Sequence, residues 1–348
     1  MKLHKQIIFI LIVFLKTETL LSENNLFNVN NIKLGKNDKI SNNDLANQAI
    51  KKGFDQLMSR ILLKEDNEKL LNMEFSSIKQ LVSYYQISNF TDKKKMEEQV
   101  NFSVTFDKSK IHDLFYKRAI LYSDILDKEL YVLPILIVNQ DIYVFNNNFF
   151  YEKWNEFYEN DLIEFILPLE NIEIIEKINK NKNNLIDLNI DDLFKEYSNK
   201  NLSIVLIEND KIDQKKIFIK TSIQGKNISK SFNLKSKKND DNNLNKKIII
   251  ETKKELIDLV KSKNLIDIRT PSFLNVKLDI NKKSNIVELN NRIKKIDLIE
   301  NVFVQQFNKD YVLIKIKYLG KIDKIIKKLK EQNIELKMIS GEWQLRII

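Results

Sequence analysis

Apolar and polar positions are arranged along this chain in blocks whose period shifts between two and about four, and each shift predicts a change of element. The opening block follows neither period. Lys2 and Lys5 precede an uninterrupted apolar run from Ile7 to Leu15, and Lys16 to Thr19 is polar. A bilayer span needs roughly 20 apolar residues, so this shorter run fits the core of a secretory leader, with Ser22 offering a small residue for cleavage. Residues 1–22 are expected to be a signal peptide. Beyond them, Leu26, Phe27, Val29, Ile32 and Leu34 predict a strand closed by Gly35. Ser41 and Asp44 have capping-box spacing, and a helix follows through Leu45, Ala46, Ala49, Ile50, Phe54, Leu57, Met58 and Ile61. Gly53 lowers the helix propensity there and is expected to mark close packing against a strand. A weaker helix holds Ile78, Leu81 and Val82. Strict alternation at Val100, Phe102, Val104 and Phe106 predicts a half-buried strand, and Ile111, Leu114 and Phe115 a helix behind it.

A second block opens with the apolar run Leu130 to Val138, interrupted by Pro134, which argues for a strand end, edge or bulge at that point. Asn146 to Asn148 read as a turn. An aromatic cluster follows at Phe149, Phe150, Tyr151, Trp154, Phe157 and Tyr158, and strands are predicted at 163–167, 202–207, 217–223 and 228–234. The polar stretch 235–247 reads as a mobile loop, and helix periodicity returns from Ile248 to Val260.

After Pro271 the alternation is regular. Leu274, Val276, Leu278 and Ile280 predict a strand; Asn285 and Glu288 are a candidate capping pair before Ile286, Leu289, Ile293 and Ile296. Strands at 302–307 and 311–318, a helix through Ile322, Ile325, Ile326 and Leu329, and a strand at 334–339 complete a β-α-β-β-α-β order, the ferredoxin-like arrangement. The fold class is α+β, with tandem α/β-type modules. The expected organisation is a leader (1–22), an N-terminal α+β domain (23–128), a middle α+β domain (129–265) and a ferredoxin-like domain (272–348).

Composition changes this picture mainly by exclusion. The 348 residues include no cysteine, which removes disulfides, thiol nucleophiles and cysteine-ligated metals. The net charge of +10 is carried almost wholly by lysine, in a chain that also has 43 asparagines. Such lysine and asparagine richness is what A/T-rich codons produce, so basicity alone is not a nucleic-acid footprint. Residues 201–348 nevertheless hold 32 basic and 18 acidic residues, which allows contact with an anionic surface such as lipid headgroups.

Several stretches are similar to an exported proteobacterial family. They are the helix with Ala46, Ala49, Gly53, Leu57 and Arg60, then 104–107 (VTFD), 132–134 (VLP), Trp154, and 167–169 (LPL). Together they resemble the family called domain of unknown function 2066 over roughly residues 25–225, with weaker likeness at 318–320 (YLG) and 341–343 (GEW). The first helix is poorer in alanine than the family pattern. The resemblance implies export to the periplasm of a Gram-negative bacterium and α+β domains, and it supplies no reaction or ligand.

Reactive constellations are sparse. His112 is the one histidine outside the leader. Asp107, Ser109 and Asp113 are near it in sequence, but neighbours along a chain do not make a triad, and His112 is expected on a helix surface. The pairs Asp191–Asp192 and Asp240–Asp241 are of a kind that binds calcium or moves protons, and arise readily by chance among 48 acidic residues. No phosphate-binding or dinucleotide motif occurs. The strand 311–318 lacks the glycine-aromatic pattern of RNA-binding sheets, so nucleic acid is not an expected partner. Trp154 and Trp343 are the candidate interaction residues, each readable as a core anchor or a recognition patch. Sequons begin at Asn89, Asn101, Asn201 and Asn227. The expected function is that of a non-catalytic cell-envelope accessory protein, without cofactor, docking other exported or envelope components. The alternatives are binding to an anionic envelope surface and a hydrolase using His112 or a carboxylate pair.

Overall fold

The protein is described here by a computed structural model covering residues 26–35, 41–91, 98–125, 127–158, 162–211, 214–235, 241–279 and 284–348. The expected leader lies outside the described residues. In chain order the first elements are β1 (Asn28–Gly35), α1 (Asn42–Ile61), α2 (Phe75–Gln80), β2 (Val82–Thr91), β3 (Glu98–Phe106) and α3 (Lys108–Arg118). Next come β4 (Glu129–Val138), β5 (Asp141–Tyr143), α4 (Phe149–Lys153), β6 (Glu164–Ile166), α5 (Ile172–Lys180), β7 (Asn201–Lys211), β8 (Gln214–Ile223), β9 (Lys226–Lys235) and α6 (Asp241–Lys263). The last are β10 (Ser272–Asp279), α7 (Ser284–Ile293), β11 (Ile299–Phe307), β12 (Tyr311–Tyr318), α8 (Ile322–Glu331), β13 (Ile334–Ile339) and β14 (Glu342–Ile347). The fold is α+β.

The chain divides into two units, one built from the segments up to Tyr122 and from Ile266 onward, the other from Ser123–Leu265. The sequence suggests three segments instead. The difference is one of long-range contact: the first and last segments share a hydrophobic core in which Phe27, Phe102, Ile111 and Tyr122 are continuous with Leu298, Ile316 and Leu319. The Leu26 N–H donates to Asp297 Oδ2 (3.4 Å), and Lys108 Nζ donates to the Asp297 carbonyl.

In this first unit β1, β3 and β2 form an antiparallel sheet with β3 central. Ser41 caps α1 by accepting from the Asp44 N–H (3.1 Å), as its spacing predicts. Gly53 explains itself: a Cβ there would stand 2.9 Å from Ile32 Cδ1 and 3.5 Å from Val104, so α1 sits directly on β1 and β3. The segment from Val82 is strand, not the continuation of a weak helix; α2 stops at Gln80. The C-terminal sheet has the order β11-β12-β10-β14-β13. This differs from the expected β-α-β-β-α-β arrangement by a final strand. Ser340 and Gly341 turn the chain with φ of +50° and +83°, and β14 then inserts between β10 and β13, running parallel to β10. The alternation of Trp343, Leu345 and Ile347 drives that insertion, because it offers an apolar face to the helix layer. The Asn285 side chain of the expected cap lies outside the description.

The second unit is a layered sheet in the order β9-β8-β7-β4-β5, with β6 also pairing β4. Its central parallel pair, β4 and β7, is covered on both faces, which is why the run from Leu130 is continuously apolar. Leu130 and Val132 face a core completed by α6, whereas Leu133 and Ile135 face one completed by α5. Pro134 lies within β4, opposite Val205 on one side and with no described strand beside it on the other, so the expected edge is a local one. Its missing N–H costs nothing because β5 and β6 pair only the two ends of β4, and the Pro134 carbonyl points into the gap between them. Buried Asn148 fills that gap. Its Nδ2 donates to the carbonyls of Pro134 (2.9 Å), Val144 (2.8 Å) and Tyr143 (3.0 Å), while Oδ1 accepts from the N–H groups of Phe150 and Tyr151 at the start of α4. The expected loop 235–247 is corrected over its second half: α6 already begins at Asp241, and Leu244 anchors its first turn in the core.

Candidate functional site

A stripe of α3 lines one wall of a concave surface. Lys110, Asp113, Leu114, Lys117 and Arg118 recur at spacings of three and four, so they share one side of the helix. The other side buries Ile111, His112 and Phe115. Facing the stripe are the residues around α2, and the two enclose a groove of about 820 Å³ also lined by Asn72, Met73, Glu74, Ser77, Gln80 and Leu81. Buried Leu81 and half-buried Met73 and Leu114 form an apolar floor, and the charged side chains form an exposed rim. Two cations tie the walls together. Lys110 Nζ donates to the Gln80 carbonyl (2.9 Å), and Arg118 Nη1 donates to the Lys69 carbonyl (3.0 Å). The volume lies within the range of ligand pockets, and the apolar floor under an ionic rim suits an amphipathic peptide segment. Ser77 is the one hydroxyl in the lining, and no histidine lines the groove. The helical spacing of the α3 stripe is visible in the sequence; its partner wall, from a different stretch of chain, is not.

His112 is not on a helix surface. It is buried between Phe27 and Tyr122, at ring separations of 5.6 and 5.5 Å. The face of α3 that carries it is covered by the C-terminal segment of the same unit, which sequence adjacency cannot reveal. Its Nδ1 is 3.9 Å from Glu300 Oε1, and its Nε2 is buried without a hydrogen-bond partner among the described residues. Desolvation, assisted by Lys108 and opposed by Glu300 and Asp113, lowers its pKa to about 4. Ser109 and Asp107 do not join it: Asp107 Oδ1 accepts from the Ser109 and Lys110 N–H groups as the cap of α3, and Asp113 lines the groove.

Trp154, a candidate interaction residue, is fully buried and therefore a core anchor, not a recognition surface. It packs edge-on to Phe165 (6.3 Å) beneath Lys253, whose Nζ lies 5.8 and 5.2 Å from the two ring centroids and donates to the Phe157 carbonyl (2.7 Å). Burial lowers the Lys253 pKa to about 8. Lys253 as a whole residue is only 2 % exposed, and this cluster is a packed cation–aromatic stack. Trp343, the other candidate, is half-buried against the core of the first unit, opposite Val276. Asp191 and Asp192 are exposed at the start of a four-residue helix, where their N–H groups donate to Asn189 Oδ1. Asp240 lies outside the described residues. Among the described residues no three His, Cys, Asp or Glu side chains gather closely enough to hold a metal ion. Asn201 is buried, with Oδ1 accepting from the Gln224 N–H (3.1 Å), so that sequon is closed to glycosylation in the folded chain.

The chain matches no family profile and no curated protein. A solved structure described as an uncharacterized protein aligns with 40% of this chain and 94% of its own, at 9% identity and a TM-score of 0.17.

Proposed function

We propose that the chain is a non-catalytic accessory protein of the cell envelope, exported by its first 22 residues and related to the domain of unknown function 2066 family. It holds a peptide segment of another exported protein in the groove over Met73, Leu81 and Leu114. The groove is the observation that carries this reading: it is open, apolar at its floor and ionic at its rim. Among the described residues no helix is long and apolar enough to cross a membrane.

The test is photocrosslinking in living cells. A photoreactive residue replacing Ser77, in the groove, is expected to give one discrete adduct, while the same residue replacing exposed Lys254 on α6 gives none. No adduct at Ser77, or the same adduct at both positions, contradicts the proposal.

A further inference from the structure

A free sheet edge is a template for another strand, and soluble proteins blunt it with charge, proline, bulges or short length. Four long outer strands of this chain carry such a device. Each of them carries charge: β1 has Lys33, β9 has Lys226, Lys230 and Lys235, β13 has Glu335 and Lys337, and β11 has Glu300. β2 differs. Its sequence, VSYYQISNFT, contains no charge, proline or glycine, in a chain that is 30% charged. It is bulged between Val82 and Tyr84, its pairing with β3 is regular from Tyr84 to Thr91, and no described strand pairs its other edge.

The face of the sheet points the same way. Tyr85 and Ile87 lie beside Val104 and Phe102 on the side where α1 covers β1 and β3. Val104 and Phe102 are buried, yet Tyr85 and Ile87 remain 44% and 49% exposed, so the helix layer stops one strand short.

We infer that a second copy of this chain completes both the edge and the face, its β2 pairing antiparallel with β2 across a twofold axis at Gln86. The two three-stranded sheets become one of six. In this register Tyr85 of one copy stands opposite Ile87 of the other, the aromatic with β-branched pairing that stabilises antiparallel strands. A second copy is the fitting occupant because the chain is strongly cationic and β2 is the described strand, among those of three or more residues, without any ionic group, so self-pairing sets no like charges opposite one another. The pairing is isologous and closes at two copies.

The absence of native cysteine makes the test clean. Light scattering of the purified chain is expected to give a dimer, and Q86C is expected to form a disulfide-linked dimer under mild oxidation, with K254C staying unlinked. I87K, at a half-exposed position and checked for native circular dichroism, is expected to be monomeric. A monomeric wild type, a Q86C dimer that does not crosslink, or an I87K protein that remains dimeric overturns the inference. None of these outcomes depends on what the groove binds.

Discussion

At the scale of single residues, His112 sets a pH window. The unfolded chain takes up its imidazole proton near the ordinary value of 6.5, while the folded protein resists protonation until about pH 4. The unfolded state therefore binds more protons between those values. Stability is full above about pH 6.5 and falls as pH drops toward 4, by at most about 3 kcal/mol from this group. Urea titrations across that range are expected to show H112L losing less stability over the same interval than the wild type; an unchanged slope would place the titration elsewhere. Asn148 makes a prediction of a different kind. Its side chain satisfies the carbonyls of Pro134, Tyr143 and Val144 and two N–H groups of α4, so N148A orphans several buried polar atoms at once. The expected loss is about 2–4 kcal/mol, read as a lower urea midpoint with an unchanged slope. Neither role is legible in the sequence. His112 and Asn148 look like an ordinary helix residue and an ordinary turn residue, and their partners arrive from elsewhere in the chain.

Elements are more legible than residues because periodicity is local. The cap at Ser41, the stripe of α1 and the contact implied by Gly53 all follow from spacing and from the missing side chain. G53A is expected to be near neutral, since the gain in helix propensity of about 1 kcal/mol opposes a small displacement of Ile32. G53V, with two further methyl groups against Val104, is expected to lower thermal stability clearly. Two of the elements missed have diluted patterns, whereas α5, with Ile174 and Ile178 on its buried side, is legible by spacing. β2 has no clean alternation because Tyr84 on one face and Tyr85 and Ile87 on the other are all exposed, and β14 is six residues long behind an inconspicuous turn. Ending the chain at Ser340 would strip β10 of a neighbour and uncover Leu278 and Leu336. The shortened protein is expected to lose cooperative thermal unfolding, and a native-like transition would contradict the place given to β14.

At the scale of the whole molecule, connectivity decides what folds alone. The second unit is one continuous stretch with cores on both faces of its sheet, so residues 123–265 expressed by themselves are expected to unfold cooperatively. Residues 23–122 are not, because Leu26, Lys108 and His112 take their partners from the segment after Ile266. Circular dichroism of the two fragments checks this directly. The groove and the β2 edge both belong to the discontinuous unit, and both were invisible as sites in the sequence because each depends on strands and helices brought together from distant positions.

Export is the claim on which the proposed workplace rests. The most direct measurement is the intact mass and N-terminal sequence of the chain recovered from osmotic-shock fluid. The account predicts a periplasmic protein lacking its first 22 residues or nearly so; a full-length chain beginning at Met1 and confined to the cytosol would contradict it.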